Sequence, residues 1–135
     1  MAEQTGWGVA PVFRVRDVRK AVGYYEDQLG FVCENGVVEG VGDEGAVYGI
    51  VHRSGCVIHL GRARTGHEID PGESPNAIGA YVFVEDVDGL YKELCERGAK
   101  LLSEPVQQFY GLRDFVALDL DGYHLSFGWP SEGGD

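Results

Sequence analysis

His59 and Ser126 stand at matching places in two copies of one segment. Gly55-Cys56-Val57-Ile58-His59-Leu60-Gly61 aligns with Gly122-Tyr123-His124-Leu125-Ser126-Phe127-Gly128 at an offset of 67. An imidazole can serve as general base or metal ligand, and a serine hydroxyl can donate or accept hydrogen bonds. Strand side chains alternate between faces. Cys56, Ile58 and Leu60 therefore form an apolar face suited to a helix, which leaves Val57, His59 and Gly61 facing inward. In the second copy Tyr123, Leu125 and Phe127 take the helix side, leaving His124, Ser126 and Gly128 inward.

The same parity and offset, extended to the other strands, give an inward set of Val12, Arg14, Tyr48, Ile50, His59, Tyr81, Phe83, Arg113, Phe115 and Ser126. Tyr48 pairs with Phe115 in this scheme, as His59 does with Ser126. The set is largely aromatic. Apolar walls supply burial energy and a few polar groups fix orientation, which is the make-up of a small-molecule pocket. A metal-independent enzyme is a second reading, with His59 as general base and Tyr48 or Arg113 as electrophilic partner. Each residue also has a plainer role. The aromatics can be core, the arginines can pair with acidic residues of neighbouring strands, and His59 can be a satisfied core histidine.

Positioning these residues falls to a second repeat. Asp17 precedes Val18, Ala21, Val22 and Tyr25, and Asp86 precedes Val87, Leu90, Tyr91 and Leu94, with the aspartates 69 positions apart. Each aspartate is an N-cap, each apolar set is one helix face, and Gly30 and Gly98 end the helices. Strands are expected at 8–15, 31–38, 46–51 and 55–61, then at 78–84, 100–107, 112–118 and 123–128. Pro11 cannot donate to a ladder, so the first strand belongs at an edge or at a break in pairing. Residues 62–76 are polar and rich in glycine and proline, and form the connector. Module one then covers 8–61, module two 77–129, and 130–135 is a tail.

A chain of 135 residues with 44% apolar composition supports one core, and each half alone would be marginal. We therefore read residues 1–135 as one domain. The net charge of −11 argues against nucleic acid and anionic membrane surfaces, and leaves cationic or neutral small molecules. Cys33, Cys56 and Cys95 are an odd number without C-x-x-C spacing, so they read as buried thiols in a reducing compartment. No apolar run has spanning length and Met1-Ala2-Glu3-Gln4 does not begin an export signal, which points to the cytoplasm.

The duplicated strand–helix–three-strand order resembles the vicinal oxygen chelate superfamily, which includes glyoxalases, bleomycin-resistance proteins and dioxygenases. The resemblance covers residues 8–129. It is carried by Phe13-Arg14-Val15-Arg16-Asp17-Val18, Tyr24-Tyr25, Leu29-Gly30-Phe31, and Tyr110-Gly111-Leu112-Arg113-Asp114-Phe115 running into Asp119-Leu120-Asp121-Gly122-Tyr123. The last segment looks most like the bleomycin-resistance branch. The resemblance implies an α+β fold of two βαβββ modules in tandem, forming curled mixed sheets around a cleft with helices on the outer face.

Metal-dependent members hold a divalent ion with four side chains, and the matching positions here are Ala10, His59, Gly79 and Ser126. Only His59 is a good ligand, with His124 as the one reserve donor. Transition ions generally need three or more protein donors, so neither a metal nor another cofactor is expected, and the chelate chemistry goes with the ion. The expected function is metal-free small-molecule binding of the drug-sequestering type, with an aromatic or cationic ligand and no assigned catalytic residue. The resemblance also implies a homodimer that binds its ligand at the interface. The alternative is a metal-dependent lyase, isomerase, transferase or dioxygenase of the same superfamily.

Overall fold

The structure, a computed structural model, describes residues 6–72 and 77–132, so parts of the expected connector and tail lie outside the described residues. In module one, β1 (Val12–Val15) leads into helix α1 (Val18–Asp27), followed by β2 (Val38–Glu39), β3 (Ala46–Arg53) and β4 (Cys56–Arg62). Module two repeats the order with β5 (Ile78–Phe83), helix α2 (Val87–Glu96), β6 (Lys100–Leu101), β7 (Val106–Gln107), β8 (Leu112–Leu118) and β9 (His124–Pro130). The fold is α+β, as the sequence repeat predicts.

Both helices begin at the expected caps. Asp17 accepts from the Lys20 amide at 3.1 Å, and Asp86 accepts from the Gly89 amide at 3.0 Å. Val18, Ala21, Val22 and Tyr25 of α1 are buried against β3 and β4. Burial of large apolar side chains stabilises by about 1.5–3 kcal/mol each, which outweighs the roughly 1 kcal/mol cost of Gly23 inside the helix. Gly30 and Gly98 follow the helices at φ 76° and 78°, where a Cβ would be strained.

Each module folds into one mixed sheet. In the first the order is β1-β4-β3-β2, with β1 parallel to β4 and at the edge, where Pro11 demands it. The second has the order β5-β9-β8-β6, with β7 also pairing β8 and β5 parallel to β9. Two expected strands are shorter than their sequence patterns. The 31–38 segment contributes only a bridge from Val32 to His52 and the short β2, and the 100–107 segment splits into β6 and β7. Pro105 interrupts the latter because it has no N–H to donate.

One core joins the modules. Phe13 of β1 stacks on Tyr123 with ring centroids 4.3 Å apart, and the Tyr123 hydroxyl donates to the Arg14 carbonyl at 2.7 Å. Tyr24 donates to the Leu118 carbonyl at 2.9 Å, and Tyr25 donates to Asp119 at 2.9 Å. Among the described residues no helix is long and apolar enough to cross a membrane. The cysteine expectation needs one correction: Cys33 and Cys56 are half-buried, but Cys95 is exposed on the outer side of α2.

Candidate functional site

The turns between the last two strands of each module decide which side chains share a face. In module one, Ser54 and Gly55 form a two-residue turn with φ 50° and 87°, the type I′ pattern favoured by strand twist. In module two, Asp119 and Tyr123 close a longer turn across Leu120, Asp121 and Gly122, with Gly122 at φ 94°. His52 therefore pairs Val57, whereas Leu118 pairs His124. The extra residue changes the repeat offset from 67 in β9 to 66 in β8.

This shift corrects two expected cleft residues. Phe115 pairs Phe127, is fully buried, and packs against Tyr91 of α2 at a centroid distance of 5.3 Å. Arg113 shares that helix face and makes two hydrogen bonds to Asp88 of α2, at 2.8 and 3.1 Å. The fixed offset of 67 had placed both inward. The true counterpart of Tyr48 is Asp114, since Tyr48 pairs Gly61 and Asp114 pairs Gly128.

On the open face of the first sheet, away from α1, lie Arg14, Tyr48 and His59. The Tyr48 hydroxyl lies 2.9 Å from His59 Nδ1, and the rings meet edge to face. Gly61 makes room for this group, because a Cβ there would run into the Arg14 guanidinium and the Tyr48 ring.

The matching face of the second sheet carries a denser arrangement. Asp114 is only 3% exposed, yet accepts three hydrogen bonds. Tyr81 and Tyr110 each donate to Oδ2 at 2.7 Å, and Gln108 donates to Oδ1 at 3.0 Å. Burial first, and then this carboxylate, raises the Tyr81 phenol far above its ordinary range. The same causes push Tyr110 up to about 12. Ser126 sits beside the Tyr81 hydroxyl, and Phe83 packs against the Tyr81 ring at 5.2 Å. Gly128 forms the floor, where a Cβ would collide with the Tyr81 hydroxyl and with Asp114 Cβ.

Sequence reasoning missed Asp114, Tyr110 and Gln108 as a unit. The available signal was the adjacent pair Arg113-Asp114 inside an otherwise apolar strand, directly after Tyr110-Gly111-Leu112. Gly111, at φ 86°, turns the chain so that Tyr110 reaches back across β8.

Two hollows follow the seam between the modules. One, of about 510 Å³, is lined by Val9, Pro11, Val57, Tyr81 and Phe83 among others. The second, of about 540 Å³, lies beside the start of α2, with Leu29, Phe31, Phe127 and Trp129 in its walls and the Arg53–Glu93 pair at its rim. Of the expected cleft residues, Tyr81 and Phe83 reach the first hollow and only Phe83 reaches the second. Tyr48 and His59 form a separate group on the first sheet.

The four positions where the resemblance places metal ligands do not fit a divalent ion. Ala10 and Gly79 bring no donor, and the Phe13 ring closes the space beside Gly79. His59 Nδ1 is taken by Tyr48, and Ser126 lies against Tyr81. Elsewhere, among the described residues, no three His, Cys, Asp or Glu side chains converge on one point. His124 is buried, and its Nδ1 has no partner among the described residues.

Two mixed sheets from a repeated module, each with its helix on one face and polar groups on the other, define a glyoxalase-type fold. The sequence profile of the Glyoxalase/Bleomycin resistance protein/Dioxygenase superfamily matches residues 9–127, and the chain belongs to that superfamily. No curated protein sequence matches it significantly. Among solved structures, it is similar to a glyoxalase-related enzyme from Clostridium phytofermentans, at 25% identity and a TM-score of 0.72, covering 95% of this chain and 99% of that one. A bleomycin-binding protein from Streptomyces verticillus complexed with copper(II)-bleomycin gives 24% identity and a TM-score of 0.66, covering 99% and 100%. Another bleomycin-binding protein complexed with bleomycin gives 20% identity and a TM-score of 0.68, covering 93% and 100%.

Proposed function

We propose that this chain is a small-molecule binding protein of the drug-sequestering type, which holds its ligand without chemistry at a bound metal. One observation carries the reading. The residues that replace the metal donors are engaged in hydrogen bonds with tyrosines, His59 with Tyr48 and Ser126 beside Tyr81. Groups fixed in this way orient a guest, whereas metal ligands need free lone pairs converging on one point. Exposed Val12, Ile50 and Phe83 on the same faces supply apolar surface. The likeness to two bleomycin-binding proteins supports the same class of role.

Two copies related by a two-fold axis would cover these apolar faces, so the proposal includes a homodimer with the ligand near its interface. The proposed location is the cytoplasm, which suits three cysteines without a disulfide. Arg14, Tyr48, His59, Tyr81, Phe83 and Ser126 remain the proposed ligand-facing residues.

The test pairs metal analysis with thermal-shift screening of protein purified without chelator. A panel of aromatic and cationic antibiotics, bleomycin included, should contain compounds that raise the melting temperature, because a ligand bound only to the native state stabilises it. Metal should be well below one ion per chain. One tightly held transition ion per chain together with turnover of a metabolite would overturn the proposal and favour the metal-dependent alternative.

A further inference from the structure

The strand expected at 8–15 forms only from Val12 onward, although its apolar alternation begins earlier. Phe13 and Val15 are buried on the helix side of β1, and the same parity continues outward through Pro11, Val9 and Trp7. Yet Val9 is 95% exposed and Trp7 is 99% exposed. Gly6 and Gly8 have no neighbour within 4 Å of where a Cβ would stand. Residues 6–9 thus stand clear of the rest of the described chain, with a buried stripe carried on into water.

Strand β5 has a free edge that matches this segment. It lies at the end of its sheet and pairs on one side only, with β9. The Val84 amide donates to the Gly128 carbonyl, so residues 80, 82 and 84 turn their backbone groups to β9, and Tyr81 and Phe83 turn theirs to the seam. An open strand edge is a template for another extended segment. The Phe13 ring lies beside Gly79, while Pro11 and Val9 share the first hollow with Tyr81 and Phe83, so the chain before β1 runs antiparallel to β5.

Backbone parity agrees with side-chain parity. The Pro11 carbonyl accepts from the His59 amide, which turns Pro11 to β4 and leaves Ala10 and Gly8 to face β5. Pairing of Ala10 and Gly8 with Tyr81 and Phe83 then brings Val9 and Trp7 to the helix side, beside Val82 and Val84. Those two valines line the hollow of about 540 Å³, with Phe31 and Phe127 opposite. Glu85 in the same wall offers an acceptor for the indole N–H. The two hollows are continuous, since both are lined by Ser54, Cys56, Val82 and Phe83.

We infer that residues 6–10 are a strap that closes along the free edge of β5, seats Trp7 in the hollow beside α2 and shuts both hollows to small molecules. The structure shows the strap open. Closure buries Trp7 and Val9 and pairs the exposed edge, against the entropy of ordering five residues, so the two states are balanced closely enough to exchange. The device needs no ligand and stands apart from the binding reading. It adds a contact within the chain that controls entry to the seam.

The experiment follows amide exchange by nuclear magnetic resonance and thiol alkylation by N-ethylmaleimide, read by mass spectrometry, on the full chain and on the double variant Trp7→Ser, Val9→Ser. Both positions are exposed, so the fold is kept, which circular dichroism verifies. Cys56 lines both hollows and reports access to them, while Cys95, exposed on α2, is the internal control. In the full chain the Tyr81 and Phe83 amides should be protected from exchange. The double variant should lose that protection and alkylate Cys56 roughly tenfold faster, with the Cys95 rate unchanged. Unprotected amides in the full chain overturn the inference, as does protection that persists in the variant or an unchanged Cys56 rate. Protection that grows with protein concentration would place the segment of a second copy in the slot and overturn closure within one chain.

Discussion

Tyr25 and Asp119 meet at the centre of the molecule, the phenol of a module-one helix donating at 2.9 Å to a carboxylate in a module-two turn. Both side chains are essentially inaccessible. Asp119 also accepts from the amides of Asp121 and Tyr123, at 3.0 and 2.9 Å. Burial outweighs these bonds and raises its pKa to about 6 from an ordinary 3.8.

That displacement makes stability depend on pH. The folded chain holds the Asp119 proton more tightly than the unfolded chain, so its contribution is full below the unfolded value and is lost as pH rises through about 6. The gap corresponds to about 3 kcal/mol. Asp119→Asn keeps an acceptor for the two amides but does not titrate. In urea unfolding, the wild type should lose about 2–3 kcal/mol relative to this variant between about pH 4 and about pH 8. A difference that stays constant with pH would refute the assignment.

The two floor glycines should respond unequally to a methyl group. At Gly61 the obstacle is chiefly the far end of the flexible Arg14 side chain, so Gly61→Ala should change stability by less than about 1 kcal/mol. At Gly128 the obstacles are the anchored Tyr81 hydroxyl and Asp114 Cβ, so Gly128→Ala should cost about 1–3 kcal/mol. Chemical denaturation of both variants ranks them, and the reverse order would mean that the Tyr81–Asp114 bond is not fixed.

Metal addition supplies another check. Zinc, nickel or manganese at modest excess should leave the melting temperature unchanged, and a chelator should leave ligand-induced stabilisation intact. Stabilisation by one of these ions, abolished in His59→Ala, would indicate a site built around His59.

Arg113 and Asp114 are adjacent in sequence but belong to opposite faces, and their variants should separate. Arg113→Ala breaks a partly exposed pair with Asp88 and should cost less than about 1 kcal/mol, with ligand affinity unchanged. Asp114→Asn disturbs three buried hydrogen bonds and should cost about 1–3 kcal/mol. Loss of binding in Arg113→Ala would bring Arg113 back to the ligand.

The fold was readable because its signals are local. Asp17 and Asp86 cap helices, Gly30 and Gly98 end them, and period-two alternation in β4 and β9 separates Ile58 and Leu125 from His59 and Ser126. The site was only partly readable, because one offset was carried through a turn that differs by one residue between the modules. Parity inverts with each such residue, so Phe115 was exchanged for Asp114. Tyr110 was hidden for another reason: its reach to Asp114 depends on the backbone turn at Gly111, which residue type alone does not reveal.

Residues 118–123 of the second module receive contacts from the first: Tyr24 on Leu118, Tyr25 on Asp119, Arg16 on Asp121, and Phe13 on Tyr123. Rigidity is thus supplied from behind the sheets by groups that a guest never meets. Substitutions at the exposed positions Val12, Ile50 and Phe83 can accumulate with little penalty to the scaffold, leaving recognition free to drift between guests over evolutionary time while the frame is inherited unchanged.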